Sequence, residues 1–169
     1  NDILRLMKRR YMRELYENLV YKIKIRLPES CIGADVIVGF PGETNERFEN
    51  TYEFLKSLPI DYLHVFSYSE RPQTGSIGIP GKVSGIDIKT RSRILRNLSV
   101  SKRASFYARN EGKVQEVLFE KDENGTIEGW TRNYIRVKSD YSKVKENSIF
   151  LVKIKKSEGI RPIDCEILK

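Results

Sequence analysis

The chain has 169 residues, 39% hydrophobic and 32% charged, with 31 Lys+Arg against 23 Asp+Glu. That length fits one domain or two small ones, with enough apolar residues for a core. The composition excludes a disordered tail, a collagen-like fibre and a disulfide miniprotein. No apolar run approaches the ~18 residues of a membrane span, and no signal-peptide pattern is present. The start at Asn1, in a charged amphipathic segment, reads as an edge cut from something longer.

Charge is unevenly placed. Residues 1–26 carry eight bases and three acids, residues 27–66 two and seven, residues 67–111 nine and three, and residues 112–169 twelve and ten. Two basic blocks flank an acidic stretch, which suits either an anionic partner or plain solubility. Cys31 and Cys165 are far apart and make no metal box or disulfide framework, so a cytoplasmic, reduced compartment is expected. The Asn97 and Asn124 sequons are then coincidental, and no metal ligands are assigned.

In chain order, residues 2–26 read as one helix, with Leu4, Met7, Tyr11, Leu15, Leu19 and Ile23 at three- and four-residue steps and Pro28 as the stop. Arg5, Lys8, Arg9, Arg10 and Arg13 load its first half, where the macrodipole prefers acids. Residues 33–39 read as a buried strand, 40–43 as a turn, 45–58 as a helix with Phe48, Tyr52 and Leu55 inward, and 62–68 as a second strand. Strand–helix–strand at this spacing predicts a parallel βαβ unit. Residues 70–85 are a loop by their Pro, Gly, Ser and Thr content, and 86–110 a basic helix. From Lys113 the period becomes two. Strands are expected over 114–120, 127–138, 149–155 and 163–168, with a hairpin turn at Asp122–Gly125. These imply a small β-barrel or sandwich beginning near residues 108–113.

Asp35, Ile37 and Gly39 share one face of the first strand, opposite Ala34, Val36 and Val38. With both faces of a parallel strand covered, a buried Asp needs a partner. Ligands of parallel α/β folds bind at strand carboxyl ends, so Asp35 with the glycine-rich exit is a ligand-site candidate, equally readable as a structural Asp satisfied by backbone N–H groups. His64, Phe66 and Tyr68 form one face of the second strand and read either as core or as a platform for a base. No phosphate loop of either common glycine pattern is present. In the strand 127–138, Trp130, Arg132, Tyr134, Arg136 and Lys138 alternate aromatic with basic side chains. That pattern suits stacked bases and neutralised phosphates, or a solvated strand face. No nucleophile–base pair, carboxylate dyad or metal cluster is recognisable, so no catalytic residue is assigned.

The string Ala34-Asp-Val-Ile-Val-Gly-Phe-Pro-Gly-Glu-Thr44 resembles the fifth-strand motif of radical-SAM methylthiotransferases. Leu4-Arg-Leu-Met-Lys-Arg-Arg-Tyr11 is similar to the basic segment before it. Leu63-His-Val-Phe-Ser-Tyr-Ser-Glu-Arg-Pro72 is similar to the sixth strand and its exit. Residues 113–169 occupy the place of that family's TRAM domain, a small RNA-binding barrel. The resemblance implies an α/β fold: the C-terminal portion of a partial parallel (β/α) radical-SAM barrel in residues 1–110, then a TRAM-like, OB-like β domain in residues 111–169. His64-Val-Phe-Ser-Tyr-Ser69 and Asn133-Tyr-Ile-Arg-Val137 look most like the branch that methylthiolates C2 of N6-threonylcarbamoyladenosine beside the tRNA anticodon. Sibling branches act on isopentenyladenosine or on a ribosomal protein, and a non-catalytic RNA-binding module is the reading of a different class. Ser67 and Pro72-Gln-Thr-Gly75 depart from the family wording.

The resemblance further implies S-adenosylmethionine (SAM) and 4Fe-4S clusters in the complete enzyme. The Cys-x3-Cys-x2-Cys motif of the radical cluster is not in this sequence, so the fragment alone is expected to be inactive. By the same resemblance, the complete enzyme would reduce SAM to a 5′-deoxyadenosyl radical that abstracts hydrogen from the adenine C2, with sulfur and a methyl group from a second SAM then added. By matching position, Asp35, Ile37, Gly39, Phe66 and Tyr68 would face SAM or the substrate base. Lys8, Arg9, Arg10, Arg132, Asn133, Tyr134, Arg136 and Lys138 would contact the anticodon stem-loop.

Overall fold

The computed structural model describes residues 1–123, 126–157, 159 and 162–168, except the side chains of 121–123 and 141. The chain divides into two compact units, Asn1–Val100 and Ser101–Lys169.

The first segment is not one helix. It forms α1 (Asp2–Leu6) and α2 (Arg13–Arg26), joined by an irregular link. The break has a local cause. Lys8 takes a left-handed φ of 57°, and the Arg9 amide returns to the Leu4 carbonyl at 2.9 Å, closing the first helix. The Asn1 side-chain oxygen then accepts from the Arg13 amide at 2.8 Å at the start of α2. The apolar repeat also misleads: Leu15 and Leu19 are exposed, and Val20 is the buried residue of α2. Leu27 caps the helix ahead of Pro28.

Strand β1 (Gly33–Val38) and strand β2 (Tyr62–Ser67) pair in parallel, with α3 (Asn45–Ser57) as their crossover. The Thr44 hydroxyl accepts from the Arg47 amide at 3.3 Å and caps α3. Phe48 and Leu55 are buried and Tyr52 half-buried, as the periodicity predicts. Helix α4 (Gly85–Ala108) follows a loop holding a short 3-10 turn, Gly75–Gly78. The core of this unit joins Ala34, Val38 and Leu63 of the sheet to Val20 of α2, Phe48 and Leu55 of α3 and Leu95 of α4. Each fully buried side chain of this size contributes about 1.5–3 kcal/mol. All three long helices thus send side chains to the same face of the sheet.

In the second unit, β3 (Val114–Glu123), β4 (Thr126–Thr131), β5 (Arg136–Asp140), β6 (Ser148–Ile154) and β7 (Ile163–Ile167) close a barrel in the order β3-β4-β5-β7-β6. Val117, Phe119, Ile127, Val137, Val152 and Ile154 fill it, each at most 1% exposed. The Asn124-Gly125 pair expected to make the first hairpin turn lies outside the described residues. The expected strand 127–138 is two strands joined by a tight turn. There the Tyr134 amide donates to the Thr131 carbonyl at 3.0 Å, Tyr134 has φ 64°, and the Ile135 amide donates to Thr131 Oγ1 at 2.9 Å. A left-handed tyrosine carries no glycine signal, so the sequence reads through this turn.

Candidate functional site

Parallel pairing places Gly33 beside Tyr62, Asp35 beside His64 and Ile37 beside Phe66. These rows form the sheet face opposite the helices. Asp35 and His64 are exposed, Ile37 is 37% exposed and Phe66 52%. The expectation of a covered Asp35 is therefore corrected: it is exposed, and its carboxylate has no hydrogen-bond or ion-pair partner among the described residues. Phe66 is equally not core. Two mid-strand apolar side chains in solvent beside an unpaired carboxylate make a face suited to a molecule with both an aromatic ring and hydroxyl or amino donors.

Gly39 ends this face. Its φ of 82° needs glycine, and a Cβ there would lie 2.3 Å from Ile88 Cγ1. Its amide donates to Glu43 Oε2 at 2.7 Å. Glu43 is buried and pairs with buried Arg91, whose Nη1 donates to Oε2 at 2.8 Å and to the Glu43 carbonyl at 2.9 Å. Arg91 Nη2 also donates to Asn45 Oδ1 at 2.7 Å. This bracket fixes the turn after β1. Nothing local in the sequence links Glu43 to Arg91, a residue 48 positions on. Tyr68 follows β2, with its ring edge-on to Phe40 at 5.2 Å and its buried hydroxyl without a hydrogen-bond partner among the described residues.

A cleft of about 920 Å3 opens along β1 and is lined by Arg9, Tyr16, Asp35, Ile37, Glu46 and Asn50, among others. Arg9, Asp35 and Ile37 all line it, with no ion pair between Arg9 and Asp35 among the described residues. Burial, with Tyr11 and the Asp35 carboxylate adding to it, pushes the Tyr16 phenol above its ordinary pKa. Lys8, Arg9 and Arg10 are exposed, but they occupy the link between α1 and α2 rather than a helix face.

On the barrel, Ile149, Leu118, Trp130 and Arg136 follow one another across β6, β3, β4 and β5. All four are exposed. Ile149, Leu118 and Trp130 line a cleft of about 440 Å3 that also takes in Glu116, Arg132 and Tyr134. Trp130 and Tyr134 have ring centroids 6.3 Å apart, and the Arg136 guanidinium lies 5.7 Å from the Trp130 ring centre. The aromatic and basic residues therefore do meet, although Arg132 and Tyr134 come from the turn and Arg136 from the next strand. Leu118 and Ile149 went unread, though the two-residue period of their strands places them outward.

The basic residues of this face are paired. Arg132 meets Glu116 at 2.6 Å, Arg136 meets Glu128, and Lys138 meets Asp164 at 3.8 Å. Asn133 is half-buried and its side-chain amide bonds within the protein. Its Oδ1 accepts from Thr131 Oγ1 at 2.7 Å and its Nδ2 donates to buried Asn110 Oδ1 at 3.2 Å. Asn133 thus supports the turn that presents Tyr134.

No family model matches the chain. It is 46% identical over 140 residues to threonylcarbamoyladenosine tRNA methylthiotransferase MtaB of Aquifex aeolicus, covering 83% of this chain and 33% of that protein. The chain belongs to the radical-SAM tRNA methylthiotransferase family. A second relative, the MtaB protein of Bacillus subtilis, is 33% identical over 179 residues, covering 99% of this chain and 40% of the relative. A third, the tRNA-2-methylthio-N(6)-dimethylallyladenosine synthase of Aquifex aeolicus, is 39% identical over 132 residues, covering 78% of this chain and 30% of the relative. The chain therefore spans 30–40% of the length of these relatives. No helix among the described residues is long and apolar enough to cross a membrane.

Proposed function

We propose that the chain is the substrate-binding part of a cytoplasmic enzyme that methylthiolates C2 of N6-threonylcarbamoyladenosine in the anticodon stem-loop of tRNA. In this reading residues 1–110 are the closing portion of a partial (β/α) radical-SAM barrel and residues 111–169 a TRAM-like RNA-binding barrel. The carrying observation is the bare sheet face, with the rows Asp35–His64 and Ile37–Phe66 opposite a helix-covered side. A parallel strand pair covered by helices on one side and open on the other suits the wall of a partial barrel, in which ligands gather toward the carboxyl ends of the strands. The 46% identity to a threonylcarbamoyladenosine enzyme favours this branch over the dimethylallyladenosine branch, represented at 39%.

The residues present fit SAM. The Asp35 carboxylate is free to accept from ribose hydroxyls or an amino group, and Ile37 and Phe66 offer apolar surface to an adenine ring. The Tyr68 hydroxyl is an unused donor at the same strand end. When bound, and given one electron from a cluster held outside these residues, SAM would supply the hydrogen-atom abstraction at the adenine C2, and a second SAM the methyl group. Gly39, bracketed by Glu43 and Arg91, holds the strand exit at a fixed angle to this face. An iron–sulfur cluster is not fitted by these residues: the chain has two cysteines, Cys31 and Cys165, in separate units.

Asp35→Ala in the whole protein tests the reading. Digested tRNA, analysed by mass spectrometry, should lose its 2-methylthio nucleoside while tRNA affinity is retained. Undiminished modification would remove Asp35 from the site. The wild-type product decides the branch: a methylthiolated threonylcarbamoyladenosine supports the proposal, and a methylthiolated dimethylallyladenosine overturns it.

A further inference from the structure

Helix α4 carries six bases and one acid, Asp87. Arg91 is buried on Glu43. Lys89, Arg93 and Arg96 lie elsewhere, at steps of four and three residues, which puts them on one face. All three are exposed, and none has an ion-pair or hydrogen-bond partner among the described residues. Exposed Ile86 and Val100 extend the same stripe, which holds no acid. The three charges cover about 10 Å of helix axis. Like charges at these spacings destabilise a helix, so the stripe works against the folding of its own element.

The barrel face has the opposite character. Arg132, Arg136 and Lys138 are each held by a carboxylate, so a phosphate there must displace Glu116, Glu128 or Asp164. Uncompensated cations release counterions on meeting a phosphate backbone, whereas neutralised ones do so only in part.

We propose that Lys89, Arg93 and Arg96 form a phosphate-binding strip on α4 that engages the RNA backbone and supplies much of the salt-sensitive part of RNA binding. The inference rests on the tRNA-acting function proposed above. In this division α4 attracts and positions the strand, and the Trp130–Tyr134 cleft contributes stacking that salt affects little.

The test compares wild type, K89Q/R93Q/R96Q and R132Q/R136Q, all in the 169-residue chain, binding an unmodified tRNA transcript between 50 and 200 mM salt. The α4 triple variant should bind more weakly and lose about two to three from the log–log salt slope, at ~0.7–0.9 per cation removed. The barrel variant should lose affinity with a smaller change of slope. Relief of like-charge repulsion should leave the thermal midpoint of the α4 variant equal to or above wild type, whereas a merely structural role would lower it. An unchanged slope in the α4 variant, with wild type still binding, overturns the strip and leaves the functional reading standing. Equal displacement by polyaspartate at matched charge would point to an acidic protein partner and overturn the RNA assignment. Absence of tRNA binding by wild type at 50 mM salt would instead count against the functional reading itself.

Discussion

Arg91 and Glu43 form a buried ion pair at 2.8 Å, with side chains 7% and 5% exposed, inside the turn that leaves β1. The same carboxylate oxygen accepts the Gly39 amide, so one pair ties α4 to the backbone at the end of the candidate ligand face. Removing one member leaves the other as an uncompensated buried charge. Glu43→Ala is expected to cost about 3–5 kcal/mol in urea unfolding. A loss below about 1 kcal/mol would mean that the pair does not hold the turn.

The bare sheet face predicts a contrast in stability. Ile37→Ser and Phe66→Ala sit mid-strand but are partly open to solvent, at 37% and 52% exposure, so each should lose about 0.5–1.5 kcal/mol of unfolding free energy. Leu63→Ala, on the covered face, should cost about 2–5 kcal/mol. Chemical denaturation of the three variants checks this, and equal losses would show that the exposed face is part of the core.

Gly129 lies where β4 crosses β3. A Cβ there would be 2.5 Å from the Leu118 carbonyl oxygen and 2.6 Å from Val117 Cγ1. A backbone oxygen in a closed barrel cannot move aside cheaply. Gly129→Ala should destabilise the barrel by about 1–3 kcal/mol. Amide hydrogen exchange in β3 and β4 is the readout, and protection equal to wild type would contradict the close approach.

Burial pushes the Cys165 thiol up to about 11, and its Sγ donates to the Lys138 carbonyl at 3.4 Å. A raised folded-state pKa means that the folded chain holds its proton where the unfolded chain has lost it. Cys165 therefore favours the fold fully below its ordinary pKa of 9.0 and loses that contribution as pH rises toward about 11. The stability difference between wild type and Cys165→Ala should shrink over that window. A thiol reagent at pH 8 should label half-buried Cys31 ahead of Cys165 in the folded protein. A constant difference across that window would contradict the shift.

Glu116 and Glu128 hold the two arginines of the barrel face. Glu116→Gln with Glu128→Gln frees both guanidiniums and removes two anions. RNA affinity should rise about three- to tenfold and its salt slope should steepen. Fluorescence anisotropy across a salt series measures both, and weaker binding would show that the glutamates position the arginines for RNA.

Much of this protein can be read from its residues in order. The parallel βαβ unit, the inward Phe48 and Leu55, the break to a two-residue period and the family wording from Ala34 to Thr44 all depend on neighbours in sequence. Local periodicity, caps and glycines report such features directly. Other properties depend on residues far apart. The sequence alone shows no helix break at Lys8 and no turn at Tyr134, because both are left-handed non-glycine residues stabilised by hydrogen bonds that form only in the folded chain. The Leu15 and Leu19 repeat is legible, but only packing decides that Val20 faces the core.

For the candidate site the division is sharper. Asp35, Ile37 and Phe66 were identifiable as one stripe per strand, since alternation sets strand faces. That the stripe stays bare depends on where three helices pack, a long-range outcome of burying Val38, Leu63 and Leu95 together. Likewise the basic residues of the barrel and of α4 look alike as letters. Pairing with distant acids neutralises Arg132 and Arg136, while Lys89, Arg93 and Arg96 on α4 have no ion-pair partner among the described residues. Charge is a property of composition; which charges remain available to a partner is decided by what the fold brings within about 4 Å of them.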